Sequence, residues 1–181
     1  MNVRLATDLR GRRQAAGWSL DDLAARSGVS RATLARIETG GTSPTAEALN
    51  RICAAHGTSL SRFLADVEQP AEALQRRADQ AVWTDPATGF QRRLASPPAP
   101  GFAAELLECA LPAGADIQYD RPPRPGLEHH LLLLAGALQV TIEGAAYELA
   151  TGDALRWRLY GTSRFAALGA EPARYVLALA G

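Results

Sequence analysis

All nineteen basic side chains of this sequence are arginines, and nineteen acidic residues balance them. A guanidinium presents its donors in a planar fork that fits carboxylate and phosphate oxygens in pairs. Ser30, Arg31, Ala32, Thr33 and Arg36 fall along the outward side of one short helical stretch, which gathers two such forks and two hydroxyls on one face. A second group with chemical capacity is His129-His130. Neighbours on a strand point to opposite faces, so only one of the two rings can enter a given interior, and one imidazole does not make a metal site. Cys53 and Cys109 lie far apart with no CxxC or Cys/His spacing, so they read as small buried hydrophobes and not as a zinc site or disulfide framework.

The charges are unevenly placed. Met1 to Asp66 holds nine Arg against six acids, a net +3, and the rest holds ten Arg against thirteen acids, a net −3. A neutral total argues against a nucleic-acid partner, but a sum of two opposite halves does not. With 181 residues, 47% hydrophobic and 21% charged, the chain has the composition of a folded soluble protein of one domain or two small ones. The longest apolar run, Leu131 to Ala137, is too short to cross a bilayer, and the N-terminus lacks a signal-peptide pattern. No membrane partner and a cytoplasmic location are expected.

Two kinds of element must carry these groups. From Val3 to Asp66 apolar residues recur at helical spacing, with breaks at Gly17, Gly28, Gly40-Gly41 and Gly57. Ser19 and Ser30 are placed as N-caps, and Pro44 or Thr45 opens a fourth helix. Ser59 caps a fifth, with Leu60, Phe63 and Leu64, so five short helices are expected. Residues 67–81 are polar and read as a linker or connecting helix. Beyond Val82 short strand-like runs, among them Asp116 to Tyr119, Leu131 to Leu134 and Ala154 to Leu159, alternate with turns such as Pro112-Ala113-Gly114 and Thr151-Gly152-Asp153, the pattern of an all-β sandwich or barrel. The expected boundaries are 1–66, 67–81 and 82–181.

Ser19 to Gly41, SLDDLAARSGVSRATLARIETGG, reads as two helices joined at Ser27-Gly28-Val29, with Ala24 small at their crossing and Val29 and Ile37 filling the gap. This stretch resembles the lambda-repressor-like, or XRE-type, helix-turn-helix family, and the resemblance runs over about residues 3 to 66. It implies a DNA-binding domain. Carried over, Arg31, Ala32 and Arg36 face base edges in the major groove, while Ser19, Ser30, Thr33, Thr42, Ser43 and Arg13 meet phosphates. It also implies that Glu38 holds the helix end, and that the protein binds a palindromic operator as a homodimer.

Gly136-Ala137-Leu138-Gln139-Val140 followed by Tyr147-Glu148-Leu149-Ala150-Thr151-Gly152-Asp153 resembles the core of the cupin family, a double-stranded β-helix barrel. Catalytic cupins carry two His and a Glu in a first motif and a His in a second, holding Fe, Mn, Ni or Zn. Counting from the glycines, His129 stands at the Glu position, the two His positions fall within Arg121 to Pro125, Ser163 replaces the second-motif His and Arg158 replaces a Pro. The resemblance thus implies a cupin without metal or other cofactor, and no enzyme. Inward positions would be His129, Leu131 and Ser163, with Tyr119, Trp157 and Phe165 as aromatic walls. Arg121, Arg124, Arg156, Arg158 and Arg164 surround the mouth or the outside, and an inward one would favour a carboxylate or phosphate.

The combined expectation is a two-domain transcriptional repressor whose β half dimerises and senses a small, anionic effector. The modest +3 of the helical half implies weak, salt-sensitive binding alone, which makes dimerisation a requirement. Two other readings stay open: a constitutive DNA-binding regulator with the barrel as scaffold, and a degenerate metal-dependent cupin enzyme.

Overall fold

The computed structural model describes residues 2–58, 73–99 and 102–181, with side chains from residue 5 onward. Four helices come first: α1 (Asn2–Ala15), α2 (Leu20–Ser27), α3 (Arg31–Glu38) and α4 (Ala46–Ala55). The fifth helix expected at Ser59 lies outside the described residues. Helix starts follow from capping. The Ser19 hydroxyl accepts from Asp22 N at 3.0 Å while the Asp22 carboxylate accepts from Ser19 N at 2.8 Å, so Asp serves in a capping box where Glu is more usual. Ser30 and Thr45 cap α3 and α4 in the same way, accepting from Thr33 N and Ala48 N. Gly28, at φ 71°, ends α2 in the left-handed region and donates to Ala24 O at 2.8 Å. Leu23, Leu49 and Ile52 are fully buried between the helices, each contributing roughly 1.5–3 kcal/mol by leaving water.

Residues 73–81 form turns, in which Arg77 ion-pairs with Glu108 at 2.7 Å. Ten strands follow: β1 (Val82–Thr84), β2 (Gln91–Ser96), β3 (Ala104–Leu111), β4 (Asp116–Tyr119), β5 (Leu127–Ala135), β6 (Ala137–Ile142), β7 (Ala145–Ala150), β8 (Ala154–Leu159), β9 (Ser163–Leu168) and β10 (Ala173–Ala180). They pair into two antiparallel sheets, of order β1-β2-β3-β10-β5-β8 and β4-β9-β6-β7. Among the described residues the ladders form these two sheets and no single closed ring, so the expected barrel is seen as two facing sheets.

Alternation explains which side chains meet between them. On β10, Tyr175, Leu177 and Leu179 point in, and on β5, Leu127, His129, Leu131 and Leu133 do. Gly136 makes a crossing that only glycine permits: at φ 79°, a Cβ there would stand 2.5 Å from Pro172 O. β1 and β2 were not expected from the sequence. The stretch Gln91-Arg92-Arg93-Leu94 lacks apolar alternation, because the inward position next to Leu94 is Arg92, paired across the ladder with Cys109.

The helical and β halves touch along α4 and β4. Asn50 Nδ2 donates to Arg121 O at 2.7 Å, Arg51 pairs with Asp120, and the buried Asp85 carboxylate accepts from Ala46 N at the start of α4 at 3.3 Å. A carboxylate at a helix N-terminus is favoured by the exposed amides and the helix dipole.

Candidate nucleic-acid interface and ligand cavity

Helix α3 buries Leu34 and Ile37 and leaves Arg31, Ala32 and Arg36 exposed on its other side. The helical period produces this split from the spacing of the apolar residues alone. Arg31 lies 3.2 Å from Asp21 in an exposed pair, an interaction weak enough to be exchanged for a phosphate or a base. Ser19 and Ser30 are exposed at the helix starts, and the Ser30 and Thr33 hydroxyls lie 2.8 Å apart. Thr42 and Ser43 follow α3, half-buried.

Arg13 is a correction. Expected at a phosphate, it instead donates two parallel bonds to Glu38, at 2.7 and 2.8 Å, and a third to Trp18 O at 2.7 Å. Its side chain is only 12% exposed and that of Glu38 6%. The pair ties α1 to the end of α3, which gives the structural role expected of Glu38 its partner. Arg26 lies over the Trp18 ring at 4.5 Å, and Trp18 stacks on His56 at 4.7 Å. These contacts fix the rear of the domain and leave the α3 face free of them.

Between the two sheets lies a cavity of about 60 Å³, and at the side of the helical half its lining includes Asn50, Arg121, Pro122 and Pro123. Of the residues expected there, His129, Tyr119 and Ser163 line it, and so do Phe165 and Arg121. Trp157 stands behind, stacked on the His129 ring at 4.8 Å, and its buried indole N–H has no hydrogen-bond partner among the described residues. Leu131 is buried in the core away from the cavity lining. Arg124 donates to Gly181 O at 2.8 Å, and Arg158 pairs with Glu128 at 3.0 Å on the outer surface. Neither contributes to the cavity. Alternation accounts for Arg158, since Trp157 and Leu159 take the inward positions of β8.

The sequence reading missed Arg92, Asn50, Cys109 and Tyr175, all of which line the cavity. Arg92 had a signal: Phe90, Arg92 and Leu94 alternate at strand spacing, and both apolar members are buried. Burial pushes the Cys109 thiol up to about 11, so it is no nucleophile at neutral pH.

His129 is held down to about 4, first by burial and then by the charges of Arg92 and His130, against a raising hydrogen bond to Leu127 O. Its Nδ1 lies 2.9 Å from that carbonyl. A carbonyl only accepts, so Nδ1 carries the proton and Nε2 is bare. The neutral ring stabilises the fold fully above the unfolded value of about 6.5, and that contribution, on the order of 3 kcal/mol, is lost as pH falls from 6.5 towards 4. A His129→Phe variant keeps the stack on Trp157 and is expected to flatten this limb of the stability curve. Urea titrations from pH 7 to pH 4 measure it; parallel curves for the two proteins would refute the assignment.

Catalytic cupins hold a metal at this position, and the residues present do not fit one. The donors are one imidazole, the Cys109 thiol, whose proton burial holds on, and the hydroxyls of Ser163, Tyr119 and Tyr175; Arg92 and Arg121 add positive charge, and among the described residues no three His, Cys, Asp or Glu converge.

Residues 4–65 match the family model described as a helix-turn-helix domain. This N-terminal segment is thus a helix-turn-helix domain, and it is joined to a β domain of cupin fold. The chain is 28% identical over 153 residues to the HTH-type transcriptional regulator SutR of Escherichia coli (strain K12), covering 84% of this chain and 81% of that one. It superimposes on an HTH_3 family transcriptional regulator from Vibrio cholerae with a TM-score of 0.80 at 24% identity, over 99% of this chain and 96% of that one. A hydroxypropylphosphonic acid epoxidase from S. wedmorenis matches with a TM-score of 0.50 at 19% identity, over 99% and 98% of the two chains, a likeness of fold alone. Among the described residues no helix is long and apolar enough to cross a membrane.

Proposed function

We propose that this protein is a cytoplasmic, homodimeric transcriptional repressor that binds a palindromic operator and is controlled by a small anionic effector in its β domain, without a metal. The observation that carries the reading is the exposed Arg31, Ala32 and Arg36 face of α3 on a domain that matches the helix-turn-helix family. Arg31 and Arg36 meet base edges. Ser19, Ser30, Thr33, Thr42 and Ser43 meet phosphates, and a guanidinium can bond guanine O6 and N7 together. Selection of DNA from a random duplex pool with the full chain tests this: symmetric half-sites about ten base pairs apart are expected. Enriched sites without two-fold symmetry would refute the dimer, and no enrichment at all would refute sequence-specific binding.

The outer face of the six-stranded sheet supports dimerisation. Leu106, Leu132 and Leu134 are 38%, 43% and 43% exposed there, beside Val176 and Ala178 of the intervening β10. An apolar patch on one sheet face can pair with its own copy about a two-fold axis. Changing Leu132 and Leu134 together to Glu places like charges opposite one another. It is expected to yield monomers by sedimentation and to weaken operator binding, and a variant that stays dimeric at micromolar concentration would overturn this face as the interface.

The small cavity and the stacked His129 and Trp157 rings favour one second reading, a constitutive regulator whose β domain is only a scaffold. The third reading, an enzyme, rests on the fold shared with the epoxidase, and stoichiometric iron, manganese or zinc in the purified protein would favour it.

A further inference from the structure

Arg121 belongs to both halves of the molecule. It is among the residues that line the cavity. Its guanidinium reaches across to α2, donating to Arg26 O at 3.3 Å and Ser27 O at 3.2 Å. These are two of the carbonyls that a helix C-terminus leaves without intrahelical partners, and a cation there also complements the helix dipole. Ser27 is the hinge of the helix-turn-helix corner: it is buried, its hydroxyl donates to Leu23 O at 2.7 Å and accepts from Val29 N at 3.2 Å. Gly28 and Val29 follow, and Ser30 then caps α3. Arg121 O is itself held by Asn50 Nδ2 of α4, so the contact is anchored from both sides.

The lining selects the class of ligand. Arg92 of β2 and Arg121 both line the cavity, two cations on one small space. The remaining walls include Phe165, Tyr175, Leu177 and Leu179, which suit carbon and disfavour a fully hydrated anion. One water needs about 10–15 Å³ of such space, so about 60 Å³ holds a molecule of roughly four to six non-hydrogen atoms.

We propose that the cavity takes a short-chain monocarboxylate and that Arg121 reports its arrival to the DNA-binding corner, leaving the Arg26 and Ser27 carbonyls to pair with the bound carboxylate. This rests on the small-anion reading above and adds the ligand's size, its apolar tail and the route of the signal. Paired charged bonds are stronger than bonds to neutral carbonyls, so the exchange favours the ligand. Loss of the Arg121 contact frees the end of α2 and the turn that sets α3, which lowers the population competent for DNA.

The test uses the full chain with sodium acetate and sodium propionate, and with sodium chloride and sodium sulfate at equal ionic strength. Two quantities are read: the thermal midpoint, and amide exchange over residues 24–33. Acetate or propionate should raise the midpoint above the chloride value, as a ligand of the folded state does, and speed exchange in 24–33 by at least about tenfold, the lower bound set by losing the bonds to Arg26 O and Ser27 O from a charged donor. Arg121→Gln should show that faster exchange without any carboxylate and no further response to it. Arg121→Lys, which keeps the charge with a single donor centre, should lie between. No rise in midpoint above the chloride value with acetate, propionate or sulfate would overturn the small-anion reading itself. A rise as large with sulfate would overturn the monocarboxylate class alone. A rise with unchanged exchange in the wild type, or slow exchange in Arg121→Gln, would overturn the Arg121 route while leaving the effector site standing.

Discussion

Replacing Arg13 with alanine is expected to cost the protein about 3–5 kcal/mol of stability, because it strands the Glu38 carboxylate in a nearly dry site. Glu38 is buried at the end of α3, and its partners are the two Arg13 nitrogens at 2.7 and 2.8 Å. Glu38→Ala should cost a comparable amount, since Arg13 then keeps only Trp18 O. The sizes should not add. With both partners replaced by apolar residues of similar volume, as in Arg13→Met with Glu38→Leu, most of the loss should return, because the penalty belongs to the unpaired charge and not to the missing bond. Chemical denaturation of the wild type, the two alanine variants and the apolar pair measures these costs. Single substitutions costing under about 1 kcal/mol would mean that water reaches the pair and that it behaves as a surface contact. The pair joins α1 to α3, so the singles should also weaken DNA binding near the growth temperature by depopulating the folded reader.

The second large effect falls on binding and leaves the fold intact. Arg36→Ala should reduce affinity for the selected operator by about 1–3 kcal/mol per half-site, and a two-fold dimer carries the change twice, so the total is about 2–6 kcal/mol. Arg31→Ala should act similarly. Its pair with Asp21 is exposed and adds little to stability, so the denaturation midpoint should barely move. Competition with unrelated duplex separates the two kinds of contact. Loss of a base contact relaxes preference at one position of the site, whereas loss of a phosphate contact at Thr42 or Ser43 weakens all sequences alike. Unchanged affinity and unchanged base preference in Arg36→Ala would remove Arg36 from the interface.

The helical half was legible because local rules carry it. Ser19, Gly28 and Ser30 are a cap, a corner and a second cap, decided within three or four residues, and the helical period then fixes which side of α3 faces out. What failed there was a long-range matter. Arg13 looked like a free cation, and Glu38, twenty-five positions away, takes it. In the β half, β4 and β8 were foreseen at their full extent, since strand and turn residues alternate cleanly. β5 extends beyond Leu131 to Leu134 at both ends, and β2 was not foreseen at all. Both depend on neighbours: β10 pairs with β5 from Glu128 to Ala135, and β3 supplies the ladder that makes a strand of Gln91 to Ser96.

The arginines divide along the same line. The sequence alone determined that Arg31 and Arg36 share an outward helical face, because both lie within one helix of fixed period. It also determined that His129 stands without the companions a metal needs. Which arginines enter the β domain was decided only by tertiary structure. Arg124 and Arg158, expected near the pocket, are tied to Gly181 O and Glu128 outside it, while Arg92 enters from an unforeseen strand and Arg121 bridges the cavity to Ser27. The direction of a side chain in a sheet follows strand register and the facing sheet, which are long-range pairings that no local run of residues specifies.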